Sequence, residues 1–286
     1  MRDLRGRVAF ITGGSRGIGL GIARACAEAG VKIAIADLDE ASLTAAAAEL
    51  SELTDVQAHR LDVSDREAYA SVAKHVQEGL GEVSLLFNNA GVADSVSPSG
   101  ISHDVYAWMR GINVDGVHHG LEQFLPGMVA RRDGHILSTA SEAGIIPEGG
   151  GYLYSLSKYA VVGLSESLRV ELGPLGIGVT VLIPGPCATT IVENTRHHRP
   201  ETAPKHSERT SQILTMAHEW LTTQGRSPDD VGALAVEAIR ENRPYVFTRD
   251  EGGAALTART QAMLEAMRHD HDHLEARASE REAVSR

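Results

Sequence analysis

Short apolar runs recur along the chain, and most of them stop at a glycine, asparagine, aspartate or proline. Runs of this length that end in turn residues are typical of strands buried on both faces of a parallel sheet. The predicted strands are residues 8–11, 31–36, 56–60, 83–87, 134–139, 178–183 and 245–247.

Helix-forming stretches alternate with these runs, and this alternation favours an α/β fold with a doubly wound, mainly parallel sheet and helices on both faces. We expect one domain of seven strands over residues 1–250 and a helical, partly flexible tail over residues 251–286. The predicted helices are residues 20–29, 41–50, 65–79, 103–130 with a break near Gly111, 152–172, 227–241 with Pro228 in its first turn, and 254–283.

The charge and the cysteine content narrow the possible partners and the compartment. A formal net charge of -11 argues against nucleic acid and anionic membranes, because both are bound by lysine and arginine. No apolar run is long enough to predict a transmembrane helix, and the first residues have no signal-peptide pattern. Cys26 and Cys187 cannot form a disulfide framework or a thiolate zinc site, so we expect a cytoplasmic protein.

A glycine-rich segment, Thr12-Gly13-Gly14-Ser15-Arg16-Gly17-Ile18-Gly19, joins the first predicted strand to the first predicted helix. Gly13 permits a tight turn, Gly17 lets the backbone approach a pyrophosphate, and Gly19 permits close packing of the helix on the strand. The helix N-terminus adds N–H donors and the positive end of the helix dipole. Because Asp37 follows at the end of the next strand, a dinucleotide site is favoured over a plain loop.

Asp37 and Arg16 favour different cofactors. The Asp37 carboxylate can accept hydrogen bonds from a ribose diol and repel a 2′-phosphate, which favours NAD, whereas the Arg16 guanidinium could hold the 2′-phosphate of NADP. Burying a phosphate beside a carboxylate is costly without a second cation, and Lys32 lies inside a strand, so we expect NAD. The alternative for Asp37 is a helix N-cap or turn residue.

A second constellation lies at Tyr154-Ser155-Leu156-Ser157-Lys158, with Ser141 upstream. The spacing puts Tyr154 and Lys158 on one face of a helix, and an ammonium beside a phenol favours the phenolate. A phenol whose pKa falls from its free value of about 10 can act as a general acid or base near neutral pH. A surface Tyr–Lys pair is the alternative, and Tyr152 is a rival phenol without a lysine four residues on.

These motifs follow the order found in the short-chain dehydrogenase/reductase family, which the chain resembles over about residues 7 to 190. The resemblance implies a Rossmann-type fold, an NAD(P) cofactor and the interconversion of a secondary alcohol and a ketone by hydride transfer to or from that cofactor. Ile183 departs from the family pattern and should only shape the nicotinamide pocket. The resemblance rests on Thr12-Gly13-x-x-x-Gly17-x-Gly19, Asn88-Asn89-Ala90-Gly91, Asn113, Ser141, Tyr154-x-x-x-Lys158 and Pro184-Gly185.

The resemblance also implies a role for each matched residue, and it requires no metal. Tyr154 would be the catalytic acid/base, and Lys158 would lower its pKa and bind the nicotinamide ribose. Ser141 would bind the substrate oxygen, and Asn113 would kink its helix and hold a water that links Lys158 to solvent. The expected cofactor contacts are Gly13, Ser15, Arg16, Gly17, Ile18, Gly19, Asp37 and Leu38; Asp62 and Val63 at the adenine; Asn88, Asn89, Ala90 and Gly91 in the central cleft; and Tyr154, Lys158, Pro184, Gly185 and Thr189 at the nicotinamide end.

Residues 186–226, called the lid below, cover the substrate in that family. Met216, Trp220 and Leu221 make part of the lid apolar, which favours a bulky hydrophobic or aromatic alcohol over a sugar, although such residues more often pack within a helix. The order of elements after the lid loosely resembles that of bacterial aryl-ether Cα alcohol and terpenoid dehydrogenases. The pocket walls are expected from residues 147–151, Val92, Ala93, Ser95 and Val96.

The sequence leaves the oligomeric state undecided and allows two alternative functions. The family pairs the long helices 103–130 and 152–172 between subunits, so we expect a homodimer or homotetramer, unless both faces of these helices pack within one subunit. We expect His118 and His119 to be interface or helix histidines, and residues 269–273 to be a solvated tail and not a metal site. The alternatives to a dehydrogenase are a non-redox isomerase or lyase with this fold and a catalytically silent dinucleotide-binding protein.

Overall fold

The computed structural model describes residues 3–95, 102–147 and 151–284, and these form a sheet of seven strands. The strand order is β3-β2-β1-β4-β5-β6-β7, and every neighbouring pair runs parallel. The doubly wound α/β fold predicted from the sequence is therefore confirmed, with a wholly parallel sheet. The strands are β1 (Val8–Thr12), β2 (Lys32–Asp37), β3 (Val56–Arg60), β4 (Val83–Asn88), β5 (Gly134–Thr139), β6 (Ile177–Ile183) and β7 (Tyr245–Phe247).

The α-helices cover both faces of the sheet. They are α1 (Gly17–Glu28), α2 (Glu40–Leu50), α3 (Arg66–Leu80), α4 (His103–Arg110), α5 (Gly116–Arg131), α6 (Tyr152–Leu172), α7 (Ile191–His198), α8 (Glu208–Gln224), α9 (Pro228–Glu241) and α10 (Gly253–Val284). One buried cluster joins the sheet to α1, α2 and α9, and a second joins its other face to α3, α5 and α6. Two α-helices, α7 and α8, lie in the lid, where the sequence pattern predicted none.

Two glycines bring α1 and α9 into backbone contact. A Cβ on Gly21 would lie 2.1 Å from the carbonyl oxygen of Pro228, and a Cβ on Gly232 would lie 2.1 Å from that of Gly21. Pro228 occupies the first turn of α9, as predicted, behind Ser227, whose hydroxyl accepts from the Asp229 amide. This packing buries α9 against the helix that begins in the glycine-rich segment.

The predicted long helix over residues 103–130 is interrupted by a π-helical turn, Gly111–Asp115, between α4 and α5. Such turns shift the register of a helix and occur often at functional sites. The break predicted near Gly111 is therefore present, and it places Asn113 in the interior.

The chain divides into two compact units, the first ending at Thr248 and the second beginning at Arg249. The second unit consists mainly of α10, in which Met263, Leu264, Met267 and Leu274 are exposed. None of the helices in the described part of the chain is long and apolar enough to cross a membrane.

Candidate active site

A cleft opens at the carboxyl ends of the strands, around β1 and β4, where the order of the strands reverses. Open α/β sheets bind their ligands at this point. The sequence-predicted residues that line the cleft are Gly13, Arg16, Gly17, Ile18, Asp37, Leu38, Asp62, Val63, Asn89, Ala90, Gly91, Val92, Tyr154, Lys158, Pro184 and Thr189. The two halves of the site predicted from the sequence therefore share one cleft.

Three glycines of the glycine-rich segment stand where a side chain would be strained or would clash. Gly13 and Gly17 have positive φ angles of 61° and 53°. A Cβ on Gly19 would lie 2.0 Å from the carbonyl oxygen of Gly13. Gly19 does not line the cleft itself; its lack of a side chain lets α1 begin directly behind the loop.

Asn89 connects the glycine-rich segment to the neighbouring strands by hydrogen bonds. Its Nδ2 donates to the carbonyl oxygens of Thr12 at 3.1 Å and Gly13 at 3.3 Å, and its Oδ1 accepts from the Thr139 hydroxyl at 3.1 Å. The Thr12 hydroxyl accepts from the amides of Asn89 and Ala90. These bonds fix the floor of the cleft before any ligand enters.

Asp37 ends β2 with its carboxylate at the cleft wall. Its Oδ2 accepts from the Ser15 hydroxyl at 2.6 Å and from the Ser15 amide at 3.3 Å, and its Oδ1 accepts from the Leu38 amide at 2.8 Å. Ser15, which was expected at the cofactor, does not line the cleft and acts here by holding Asp37.

Arg16 is engaged by three neighbours at the same end of the cleft. Its Nη2 lies 2.8 Å from an Asp39 carboxylate oxygen and donates to the Ser42 hydroxyl at 2.6 Å, and its Nη1 donates to Asn194 at 3.1 Å. The Ser42 amide and the Arg16 guanidinium hold the pKa of Asp39 well below its usual range. Two carboxylates, Asp37 and Asp39, therefore line the cleft together with Arg16, and Asp39 also caps α2.

The expected adenine contacts, Asp62 and Val63, lie on the connection after β3. Buried His119 of α5 bonds through its Nδ1 to the Val63 carbonyl oxygen at 2.9 Å, so this histidine is satisfied within the fold. Gly116 lets α5 approach, because a Cβ there would lie 2.8 Å from Val63 Cγ2. The position of Val63 is thus set by α5.

Tyr154 and Lys158 lie one turn apart in α6 and both line the cleft. Lys158 is only 4% exposed; its Nζ donates to the Thr139 carbonyl oxygen at 2.9 Å and lies 5.7 Å from the centroid of the Tyr154 ring. Burial lowers the pKa of Lys158 to about 8, since the charged form is poorly solvated there. Burial of the Lys158 ammonium therefore costs free energy, but the same position brings the ammonium beside the phenol ring of Tyr154.

Replacing Lys158 with Met is expected to raise the free energy of unfolding by about 1–3 kcal/mol at neutral pH, because the isosteric side chain removes a buried charge. The lost bond to Thr139 offsets part of the gain. The folded pKa of about 8 lies below the ordinary value of 10.5, so Lys158 destabilises the fold fully below about pH 8 and progressively less as the pH rises toward 10.5. Denaturant unfolding of both proteins at about pH 7 and pH 10 measures this, and an equal difference at the two pH values would contradict it.

Ser141 follows β5 but does not line the cleft, whereas its neighbours Thr139 and Ala140 do. Its hydroxyl accepts from the Ala143 amide at 3.2 Å and begins a short 3₁₀ turn, Glu142–Gly144. A Cβ on Gly144 would lie 2.7 Å from the Lys158 carbonyl oxygen, so this turn packs on α6. Ser141 is therefore held at the side of α6 and at the edge of the cleft.

Asn113 is buried in the π-helical turn and also lies outside the cleft lining. Its Oδ1 accepts from the Val92 amide, and its Nδ2 donates to the Val92 carbonyl oxygen and to the Ser157 hydroxyl, all within 3.0 Å. Ser157 in turn donates to the Tyr154 carbonyl oxygen. The side chain of Asn113 therefore ties the connection after β4 to the helix that carries Tyr154.

The end of the cleft that is expected to receive the nicotinamide is formed by the residues after β6. The Gly185 amide donates to Thr248 at 3.0 Å, and Gly185 itself does not line the cleft, although Pro184 and Thr189 do. Burial raises the pKa of the Cys187 thiol to about 11 and keeps it protonated at neutral pH. Cys187 is thus a packing residue.

The lid contributes cleft residues that the sequence analysis missed: Thr190, Ile191, Asn194 and His198. Ile191, Asn194 and His198 recur every three or four positions and so share one face of α7, but the sequence analysis predicted no helix there on which to count this period. Two of the three residues expected to cap the substrate, Met216 and Trp220, are instead 68% and 50% exposed on α8, and none of the three lines the cleft. Of the expected pocket walls, Val96 and residues 148–150 lie outside the described residues.

The family assignment follows from this geometry and from a direct match. Residues 7–200 match the model of the short chain dehydrogenases, and the chain belongs to the short-chain dehydrogenase/reductase family.

Individual relatives span nearly the whole chain. The C alpha-dehydrogenase of Sphingobium sp. strain SYK-6 is 31% identical over 93% of this chain and 88% of its own length. The 3beta-hydroxysteroid dehydrogenase 2 of Eggerthella lenta is 31% identical over 88% of this chain and 96% of its own length. A short chain dehydrogenase/reductase from Burkholderia phymatum, solved in complex with NAD, is 32% identical and covers 93% of this chain and 97% of its own, with a TM-score of 0.88.

Proposed function

We propose that the protein is an NAD(H)-dependent oxidoreductase that interconverts a secondary alcohol and a ketone, with a bulky hydrophobic or aromatic substrate. The observation that carries the proposal is the placement of Tyr154 and buried Lys158 in the same cleft as the glycine-rich segment and Asp37. An acid/base and a dinucleotide cradle in one cleft are the requirements of hydride transfer.

The residues at the cleft fit a nicotinamide dinucleotide. Gly13 and Gly17 would let the backbone approach a pyrophosphate, because a Cβ at either position would fill the space next to Ala90 or Thr189. When bound, the cofactor supplies the site that accepts or returns the hydride. Asp37 would receive the ribose diol at one end, and Thr189 would meet the nicotinamide at the other.

Tyr154 would move the proton. In the oxidative direction its phenolate takes the hydroxyl proton of the substrate as the hydride leaves the carbinol carbon, and in the reductive direction the phenol returns it. The Lys158 ammonium favours the phenolate form. Ser141 would donate a hydrogen bond to the substrate oxygen, and Asn113 would keep α6 in place through Ser157.

The preference for NAD rests on the charges around Arg16. A 2′-phosphate at this end of the cleft would meet the carboxylates of Asp37 and Asp39, whereas Arg16 is already bonded to Asp39, Ser42 and Asn194. Displacing these bonds and placing like charges together costs free energy. The protein should therefore bind NADH more tightly than NADPH.

Replacing Asp37 with Ser is expected to reduce the ratio of NADH to NADPH affinity by about 10- to 100-fold, because it removes the ribose acceptor and the nearest repelling charge. Titrating the wild-type and variant proteins with both reduced cofactors measures the ratio. A wild-type protein that prefers NADPH would contradict the assignment and would mean that Arg16 outweighs the two carboxylates.

Apolar residues near Tyr154 support a hydrophobic substrate. Val92, Ile112 and Ile191 line the cleft, and behind them lies a buried cluster that includes Val105 and Leu153. The relative named for a 3beta-hydroxysteroid acts, by its name, on a bulky alcohol. Incubation with NAD and a panel of aromatic, steroid and sugar alcohols tests the proposal through the near-ultraviolet absorbance of NADH. Turnover confined to sugar alcohols would refute the substrate class, and substrate loss without NADH would favour the isomerase or lyase.

The expected homodimer or homotetramer stays a prediction. On α6, one of the helices expected at the interface, Val170 and Leu156 are 78% and 47% exposed, and an assembly through this helix would cover them. A monomeric mass in light scattering would contradict it.

A further inference from the structure

Asp94 carries a buried carboxylate that none of the proposed catalytic steps uses. Its side chain is 0% exposed. The Nε of Arg199 donates to its Oδ2 at 2.8 Å, the Nε2 of His206 lies 2.7 Å from its Oδ1, and the Ser95 amide donates to the same Oδ1 at 2.9 Å. A carboxylate shielded from water needs such partners, because an unpaired buried charge costs several kcal/mol.

The partners of Asp94 come from the lid. Arg199 follows α7 directly, and His206 precedes α8, while Ala203 between them is buried with Val92 and Leu153. Next to Asp94, the Ala93 amide donates to the buried hydroxyl of Thr195 in α7 at 2.9 Å. The segment after β4 thus holds the lid by a charged contact, a hydrogen bond and an apolar contact.

The same segment is bonded to the catalytic helix. Val92, two residues before Asp94, exchanges two hydrogen bonds with Asn113, and Asn113 reaches the Tyr154 backbone through Ser157. The contact between Asp94 and the lid therefore has a rigid base. A lid attached at this base keeps a fixed position relative to Tyr154.

On the other side of the cleft, α7 is bonded to the glycine-rich segment. The Oδ1 of Asn194 accepts from Arg16 at 3.1 Å. Because Ile191, Asn194 and His198 line the cleft, α7 crosses it between these two attachments. Of the two, only the attachment at Asp94 is buried and carries a full negative charge.

We propose that Asp94 is a positioning residue that clasps the lid through Arg199 and His206 and so holds α7 across the cofactor cleft. The clasp would slow the departure of a bound dinucleotide. The part of the proposal that concerns the dinucleotide rests on the proposed function; the part that concerns the lid does not.

Two variants test the clasp: Arg199→Gln, which removes the cation from the lid side, and Asp94→Asn, which removes the buried charge. Asp133→Asn is the matched control, since it breaks a partly exposed Asp–Arg pair with Arg7 at the opposite end of the sheet. Hydrogen exchange of the cofactor-free proteins is followed by mass spectrometry. NADH dissociation is measured by stopped-flow fluorescence, and thermal unfolding is measured in parallel.

We expect exchange over residues 191–207 to be at least about tenfold faster in both clasp variants, with the amides of β1 and β4 unchanged. NADH should dissociate about tenfold faster, because α7 no longer stays across the cleft. The Asp133→Asn protein should match the wild type in both measurements.

The proposal would be overturned if residues 191–207 exchanged at the wild-type rate in both variants. It would also be overturned if these residues exchanged faster but NADH dissociated at an unchanged rate. If the Asp94→Asn protein does not fold, the Arg199→Gln protein alone tests the proposal, because Arg199 lies on the lid and outside the buried core. A protein that binds no NADH would refute the proposed function, while the exchange comparison would still test the clasp.

Discussion

Tyr154→Phe is expected to lower kcat by about 10²- to 10⁴-fold, the contribution of a well-placed general acid or base. The phenylalanine ring keeps the packing of residue 154 in the cluster of Val92 and Leu153 but has no proton to exchange with the substrate oxygen. Most of the residues expected to hold the dinucleotide lie elsewhere along the cleft, and the ring at position 154 is kept, so NADH affinity should change by less than about threefold.

Tyr152→Phe is the matched control for this experiment. Tyr152 packs in the same cluster two residues earlier, but no lysine lies four residues beyond it. Steady-state kinetics and fluorescence titration of both variants measure the two effects separately. Full activity in the Tyr154→Phe protein, or an equal loss in the Tyr152→Phe protein, would refute the assignment of the acid/base.

Gly19→Ala is expected to weaken NADH binding by about 100-fold or more, the second large effect. The new Cβ would lie 2.0 Å from the Gly13 carbonyl oxygen and 2.6 Å from Asn89 Nδ2. The clash could be relieved only if the loop backbone at Gly13 or the hydrogen-bonded side-chain amide of Asn89 moved away. The backbone N–H groups of the glycine-rich segment would then lose their alignment toward a pyrophosphate. Stability should also fall by about 1–3 kcal/mol, as expected for an overpacked site.

Gly253→Ala is the control, because Gly253 is exposed at the start of α10 and no atom beyond its own helix backbone lies within 4 Å of the Cβ it would add. Its NADH affinity should equal that of the wild type, and its stability should change by less than about 0.5 kcal/mol, as for other surface substitutions. Isothermal titration and denaturant unfolding measure both quantities. A Gly19→Ala protein that binds NADH as well as the control does would contradict the role of the glycine-rich segment.

The sheet and the glycine-rich segment could be predicted because their signals are local. A strand such as β1 begins as a continuous apolar run over residues 8–11, and its two buried faces leave no polar alternation to confuse the pattern. The same locality applies to Tyr154 and Lys158, whose spacing within one helix already places them together. The depth at which Lys158 is buried could not be read from that spacing.

The lid helices escaped prediction because they bury few residues. In α8 only Leu214 is fully buried, and in α7 only Val192 and Thr195 are, so neither helix has a broad apolar face. Helices α7 and α8 are stabilised by contacts with distant parts of the chain, and the hydrophobic periodicity of a local stretch cannot predict such contacts. Ser207, which caps α8 through the Thr210 amide, was the one local signal of a helix start.

No local sequence pattern predicts the contact of Asp94 with Arg199 and His206. Asp94 and its partners Arg199 and His206 are more than 100 residues apart in sequence, and each occurs among polar residues typical of loops. Their pairing appears only once the connection after β4 and the lid have been brought to the same edge of the sheet. Likewise, the position of Ser141 outside the cleft lining depends on the packing of its 3₁₀ turn against α6.

The transfer of deuterium from substrate to cofactor tests the proposed reaction most directly. A secondary alcohol that the enzyme turns over, deuterated at its carbinol carbon, is incubated with NAD, and the NADH formed is analysed by mass spectrometry. Hydride transfer predicts one deuterium in each NADH molecule, and none when the Tyr154→Phe protein is given the same time. Consumption of the alcohol without labelled NADH would contradict the account, and so would NADH that carries no deuterium.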